Sequence, residues 1–424
     1  MIRKLLQFRF RPRHGRLTGL AVLLLSCLVA GASPAQDDRI RYFRIGTGTT
    51  GGTYFPIGGI IANAISKPPG SPACEQGGSC GVPGLIAVAQ ASSGSVENIR
   101  NIVSGASESG LAQAEVAYWA YTGTGMYAGE EPAKDLRAIA RLYDELVHVV
   151  VPADSDIRSV ADLKGRRVSL GDVGSGTLAD MRLILAAYGL SEKDIEPFYL
   201  KPEEAGDKLQ RREIDAYAFV GGAPVLAIED IARRMPIRLL GFADDAVERL
   251  LEENPYFSRA VLDADVYRGV GKTALLGVPA LWITSARVDA DTIEGITRAL
   301  WHPTTQALLE NGHPRGREIT IDRAFNGIAI PLHPGAVRFY EEEGLTVPEV
   351  ETRETGAEEA GEEAGGASPA PPPKPLPPSF KEPPIPRARP RRRSAIPAWR
   401  EGRGPRRNRP GTPCPVRPRR SRSG

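Results

Sequence analysis

From Arg41 onward, short apolar runs alternate with stretches whose apolar residues recur at helical spacing, the pattern of an α/β fold. Residues 42–45 predict a strand that enters the glycine- and threonine-rich loop 46–52. Ile57, Ile60, Ile61, Ala64 and Ile65 then mark one face of a helix from about 54 to 66. Residues 85–89 predict the next strand, and Val96, Ile99, Ile102 and Val103 a helix that stops at Gly105, because glycine readily takes the left-handed conformation that ends helices. A third strand, 110–112, precedes a helix around Tyr118, Trp119 and Tyr121.

A second block repeats this logic. Residues 147–151 predict a continuous apolar strand, 160–164 a short helix, and 167–170 a strand entering the loop 171–177. A helix over 178–188 ends at Gly189, and the strand 214–220 runs into Gly221-Gly222-Ala223-Pro224. Residues 275–284 predict a strand and 291–301 a helix, and the body closes over 331–344. Two α/β lobes follow, each with a strand-to-helix loop rich in glycine and hydroxyls.

Charge divides the chain into unlike zones that the overall +3 conceals. Residues 1–35 hold six Lys/Arg and no acid; residues 36–345 hold 31 Lys/Arg against 42 Asp/Glu. An acidic body argues against nucleic acid as partner, since phosphate binding needs a basic face. The basic start precedes the apolar run 20–30, and Ser33-Pro34-Ala35 supplies small residues for a cleavage site, so 1–35 reads as a cleavable signal peptide for periplasmic export. The rival reading is a lipoprotein, through Leu24-Leu25-Ser26-Cys27. Residues 346–366 are acidic, and 367–424 hold 16 Lys/Arg and 17 of the 37 prolines. That composition lacks the apolar area to repay ordering, so 346–424 reads as a disordered tail. It is either a basic extension contacting the anionic envelope or a dispensable one.

The chemistry-bearing motifs are loops rather than catalytic constellations. Gly46-x-Gly48-x-x-Gly51 matches the dinucleotide fingerprint in form, yet the following strand ends in Gln90-Ala91-Ser92-Ser93 without the acidic residue a ribose needs, and no cofactor is expected. What survives is a backbone that offers N–H groups at a helix N-terminus, suited to an anion. Gly174-Ser175-Gly176-Thr177 and Ser92-Ser93-Gly94-Ser95 repeat the arrangement, and three such loops suggest helix N-termini converging on one small acid in a cleft. Glu145 and His148, near the lobe junction, read as either an acid/base or metal pair or as structural partners at a hinge. Cys74 and Cys80, with five flexible residues between them, read as a disulfide; as half a zinc site they find no complementary His or Cys pair at suitable spacing.

In order along the chain, Gly46-Thr47-Gly48-Thr49-Thr50-Gly51-Gly52-Thr53-Tyr54-Phe55-Pro56-Ile57-Gly58-Gly59, Ser93-Gly94-Ser95-Val96-Glu97-Asn98, Gly174-Ser175-Gly176-Thr177, Ile214-Asp215-Ala216-Tyr217 and Gly222-Ala223-Pro224 resemble the TAXI class of solute receptors that serve TRAP transporters. The resemblance covers roughly residues 40–345. It implies an α/β, two-lobe, type II periplasmic-binding-protein architecture with central mixed sheets and an interlobe ligand cleft. Lobe one would be 40–146 plus 242–345 and lobe two 147–241. It further implies a non-enzymatic receptor that binds glutamate, glutamine, 2-oxoglutarate or a similar carboxylate and hands it to TRAP permease subunits; the alternative is a secreted α/β enzyme acting on a small organic acid. Carried over by position, Gly48, Thr49, Thr50, Thr53, Tyr54, Ser92, Ser93 and Ser95, with Gln113 beside them, would form one wall of the site. Ser175, Gly176 and Thr177 would form the other, with the Gly221-Gly222 backbone nearby. The sequence departs from the family pattern at Glu115, where an Asp is expected, and at Asp172, whose charge disfavours an anionic ligand unless it points away.

Overall fold

The computed structural model describes residues 40–349, so the signal-peptide reading, and the tail reading beyond its first few positions, lie outside the described residues. The first elements are β1 (Arg41–Gly46), α1 (Tyr54–Ile65), β2 (Leu85–Gln90), α2 (Ser95–Ser104), β3 (Ser109–Gln113) and α3 (Ala114–Thr122). Then come β4 (Leu136–Pro152), β5 (Arg167–Ser169), α4 (Gly176–Ala187), β6 (Glu196–Phe198), α5 (Pro202–Gln210), β7 (Ala216–Gly221), α6 (Leu226–Arg234) and β8 (Ile237–Leu239). The described part ends with α7 (Asp245–Glu253), β9 (Ser258–Leu262), β10 (Thr273–Ser285), α8 (Ala290–Trp301), α9 (Pro303–Gly312) and α10 (Pro334–Glu342).

The ten strands form one mixed sheet rather than two separate ones. Its order is β2-β1-β3-β10-β4-β7-β5-β6, with β8 added to β4 and β9 to β10. Lobe one carries the parallel set β1, β2 and β3, and lobe two the parallel set β5, β6 and β7. The antiparallel strands β4 and β10 join them. Strand β4 changes partners at Leu146, which pairs with Gly277 of β10 on one side and Gly221 of β7 on the other. A lobe division at 146/147 therefore falls inside a strand, where the backbone is continuous and two ladders meet.

Almost every residue of β4 is buried, as expected of a strand covered on both faces. Its second half reads as an apolar run, whereas Arg137, Arg141, Asp144 and Glu145 break up the first half and hide it from a hydrophobicity reading. Buried Arg141 is neutralised by Asp144 at 2.6 Å. The core runs through both lobes, with Trp282, Tyr143, Tyr217 and Tyr267 among its largest fully buried side chains. Trp282 meets its one polar requirement by donating from Nε1 to Ser109 Oγ at 3.1 Å.

Two glycines lie where the two strand sets meet, one required by its backbone conformation and one by close approach. Gly94 precedes α2 at φ 125° and ψ −146°, a region open to glycine alone, and a Cβ there would lie 3.6 Å from Ser175 Cα of the other lobe. At Gly176 a Cβ would collide with Gln113 Oε1.

Candidate functional site

The carboxyl ends of β1, β2 and β3 from lobe one, and of β5 and β7 from lobe two, deliver their loops to one small cavity, the place where α/β sheets hold ligands. Ten of the predicted residues line it: Gly48, Thr49, Thr53, Tyr54, Ser93, Ser95, Gln113, Ser175, Gly176 and Thr177. Gly52, Gly94, Glu145, Phe219 and Val220 complete the wall. Thr50 and Ser92 instead border a more open groove outside it, beside Glu97, Lys201, Glu203 and Glu204. Ser92 builds the turn: its hydroxyl is held among Asn98 Oδ1 (2.7 Å), Thr47 O (3.0 Å) and the Gly94 N–H (3.1 Å). Gly221 and Gly222 do not line the cavity; the Gly222 carbonyl accepts from Thr53 Oγ1 at 2.6 Å.

The wall from lobe two is a set of donors. Helix α4 is twelve residues long, and the first N–H groups of a helix lack intrahelical acceptors and sit at its positive end. Ser175 caps it, its Oγ accepting from the Leu178 N–H at 3.1 Å. Thr177 Oγ1 accepts from the Val220 N–H at 3.0 Å. Both hydroxyls are thereby fixed as acceptors and keep their own protons to donate. On the opposite side Thr49 Oγ1 is buried with no partner. Among the described residues, no Lys, Arg or His lines the cavity.

Several bonds clasp the lobes around this space. Ser93 Oγ donates to Asp172 Oδ2 at 2.9 Å, so the Asp172 charge is turned toward lobe one's serine and occupied there. The Gly51 N–H donates to Glu203 Oε1 at 2.6 Å, the Glu97 N–H to the Gly174 carbonyl at 3.1 Å, and Gln113 Nε2 to Asp180 Oδ2 at 2.7 Å.

Three acids are buried here, Glu145 in the cavity wall and Glu115 and Asp180 outside its lining. Burial lifts Glu145 well above the usual carboxylate range, against the Tyr54 hydroxyl that donates to its Oε2 at 2.6 Å. Burial also raises Glu115 to about 7 and pushes Asp180 well up, the latter helped by the nearby charge of Glu115. Sequence reading did not find Asp180: within the apolar run that begins α4, an acid carries no local sign that it faces another acid.

Glu145 and His148 do not form a pair. Their odd separation on β4 points them to opposite faces. His148 lies between the Phe219 carbonyl (3.2 Å) and the Tyr267 hydroxyl (3.0 Å), and burial lowers it to about 4, which keeps it neutral. Cys74 and Cys80 are disulfide-bonded in the segment between α1 and β2, with Cα atoms 4.8 Å apart. His302 Nε2 lies 3.8 Å from Cys74 Sγ, a neighbour 228 positions away that local spacing could not disclose. With the sulfurs joined, the trio offers no thiolates to a metal.

Residues 45–344 match the model of the NMT1-like family, a span that takes in the first loop, both lobes and every residue of the cavity wall. The chain belongs to that family. A protein of Escherichia coli (strain K12) named for aliphatic sulfonates binding is 33% identical over 93 residues, which is 22% of this chain and 26% of the relative. The match thus spans about a quarter of that protein's length. Among solved structures, the alkanesulfonate-binding protein SsuA from Xanthomonas axonopodis pv. citri, bound to MOPS, is 18% identical, with 72% of this chain and 84% of that one covered at a TM-score of 0.37. The periplasmic aliphatic sulphonate binding protein SsuA from Escherichia coli is 16% identical, with 75% and 98% covered at 0.35. A Bordetella bronchiseptica protein is 14% identical, with 74% and 92% covered at 0.42.

Proposed function

We propose that this member of the NMT1-like family is a periplasmic solute-binding receptor that closes two lobes on a small carboxylate and hands it to a membrane transporter. One observation carries the reading: loops at the carboxyl ends of parallel strands from both lobes face one cavity, and its walls offer hydroxyls and helix N-termini. A preorganised donor set of this kind holds an anion without a basic side chain. Ligand contacts are assigned to Thr49, Ser95, Ser175, Gly176 and Thr177, while Thr53, Ser93 and Gln113 serve closure through the bonds described above. Lobe one is 40–146 plus 242–345, lobe two is 147–241, and β4 and β10 are the strands about which they close.

The TAXI resemblance of the first loop and of 174–177 favours delivery to a TRAP permease, driven by a sodium gradient. The short match to the Escherichia coli protein named for aliphatic sulfonates favours a second reading, in which the acid group is a sulfonate. Two measurements separate these. A thermal-shift screen of glutamate, glutamine, 2-oxoglutarate and short alkanesulfonates identifies the acid group, since a ligand at a hundred times its Kd stabilises by about 2.7 kcal/mol. Uptake into vesicles carrying the partner permease then follows either a sodium gradient or ATP. Turnover of any acid in that screen would replace the receptor reading with the enzyme one.

A further inference from the structure

Where the head of α4 meets the end of β3, two acids are brought together. One turn along α4 from Gly176, Asp180 accepts from Gln113 Nε2 at 2.7 Å. Two positions beyond Gln113, in the first turn of α3, stands Glu115, whose carboxyl group interacts directly with that of Asp180. Both side chains are fully buried. Two carboxyl groups held together away from water do not both ionise, and a proton between them turns repulsion into a hydrogen bond.

The groups that act on the pair are Gln113 from β3, Glu145 from β4 and the hydroxyl of Tyr256, packed on Tyr118; none is a cation. Other charges on the elements packed against it have their own partners or face solvent. Arg182 of α4 pairs with Glu192, Glu97 of α2 takes the Ser93 N–H, and Arg100 of α2 is exposed. Asp162 bonds Ser159, while Asp244 and Arg249 of the α7 region reach Tyr188 and the Ala187 carbonyl at the far end of α4. Burial raises Glu115 to about 7, against the N–H groups of Glu115 and Val116 at the head of α3, and pushes Asp180 well up.

Under the proposed function Glu115 moves with lobe one and Asp180 with lobe two, so opening parts the two carboxyl groups and lets water reach both. Each is then an ordinary acid, ionised at neutral pH. We propose that closing the receptor takes up one proton into the Glu115–Asp180 pair, which makes that proton a co-ligand of the captured solute. This inference rests on the receptor reading and adds a regulator to it without choosing the solute. Glu145 stands apart: its donor Tyr54 belongs to the same lobe, so their 2.6 Å bond survives opening. A pair protonated when closed and ionised when open favours closure fully below the ordinary carboxylate range and ceases to do so as pH rises through its closed-state value. Affinity therefore falls with rising pH, by at most about tenfold per pH unit for one proton.

The test is calorimetric titration of the full mature chain at about pH 6, in buffers of differing ionisation enthalpy, with L-glutamate, L-glutamine, 2-oxoglutarate and ethanesulfonate, none of which changes charge near that pH. The dependence of the heat on the buffer should report about one proton taken up per solute bound. E115Q and D180N each replace the shared proton with an amide N–H that is always present. Checked for folding by their melting curves, both should bind without proton uptake and hold their affinity from about pH 5 to about pH 8, a range over which the wild type loses tenfold or more. Binding without uptake in the wild type overturns the inference and leaves the receptor reading standing. So does uptake that survives in either folded variant, and its loss in E145Q would then place the proton on Glu145. If none of the four solutes binds at any pH, the receptor reading fails, and the inference with it. Should neither variant fold, the infrared carbonyl band of a protonated carboxyl group decides: it should grow when solute is added to the wild type, and a band that does not grow overturns the inference.

Discussion

Gln113 Nε2 donates to Asp180 Oδ2 at 2.7 Å, and this bond crosses from the end of β3 in lobe one to α4 in lobe two. Resemblance assigns Gln113 to the ligand wall, and it does line the cavity, but its amide N–H is engaged by the opposite lobe and its Oε1 lies 3.4 Å from Ser95 Oγ. Under the proposed function its contribution is to hold the lobes closed. Q113A should therefore weaken binding by roughly tenfold, the value of a hydrogen bond to a charged or proton-sharing group. The loss should appear in the dissociation rate, because opening of the closed state releases the ligand. Stopped-flow release that is unchanged in Q113A would make the residue a simple wall element.

A proton is required at the same interface. Glu115 and Asp180 face each other, both fully buried, and their carboxyl groups interact directly. Two carboxyl groups in contact supply a donor only if one keeps its proton. The groups around them, Gln113, Glu145 and Tyr256, include no cation. Glu115 is raised to about 7 by burial from an ordinary value of 4.5. A raised carboxyl stabilises the folded, closed form fully below its unfolded value and ceases to do so as pH rises through its folded one. Thermal stability should thus fall as pH rises from about 5 to about 8, and E115Q should flatten that fall. An E115Q profile as steep as the wild-type one would assign the pH dependence elsewhere.

Ser175 serves both the fold and the site, so alanine is an ambiguous probe of it. S175A removes the cap on α4 and should cost about 1 kcal/mol of stability along with affinity. S175D retains an acceptor for the Leu178 N–H while placing a carboxylate beside the ligand's acid group. It should keep the wild-type melting temperature within a degree or two and lower affinity by more than tenfold. Equal affinity in S175D and wild type would remove Ser175 from the ligand wall.

How much of this the sequence disclosed depends on whether the information is local. The three loops were legible because glycine and hydroxyl residues between a strand and a helix form a local pattern, and β1 and β2 fall within a residue of their predicted ends. The first half of β4 was hidden by its charged residues, whose partners, such as Glu318 bonding the Asp144 N–H, are distant in sequence. The roles of Ser93 and Gln113 were hidden for the same reason: Asp172 and Asp180 lie 79 and 67 positions away. Local chemistry located the cavity, and tertiary contact decided which hydroxyls and amides face it freely and which hold the lobes together.

The Cys74–Cys80 disulfide should stabilise the body without touching ligand binding. It closes a loop with a sequence separation of six, for which the loss of chain entropy in the unfolded state predicts about 2 kcal/mol. The loop belongs to the segment between α1 and β2, and no residue of that segment lines the cavity. Intact-mass analysis after alkylation without reductant should show neither cysteine labelled, and C74S/C80S should melt several degrees lower with ligand affinity unchanged. Two alkylated thiols in the unreduced protein would refute the bond. A double variant that retains its melting temperature but loses affinity would instead tie this segment to the site, a coupling that the separation of the loop from the cavity wall argues against.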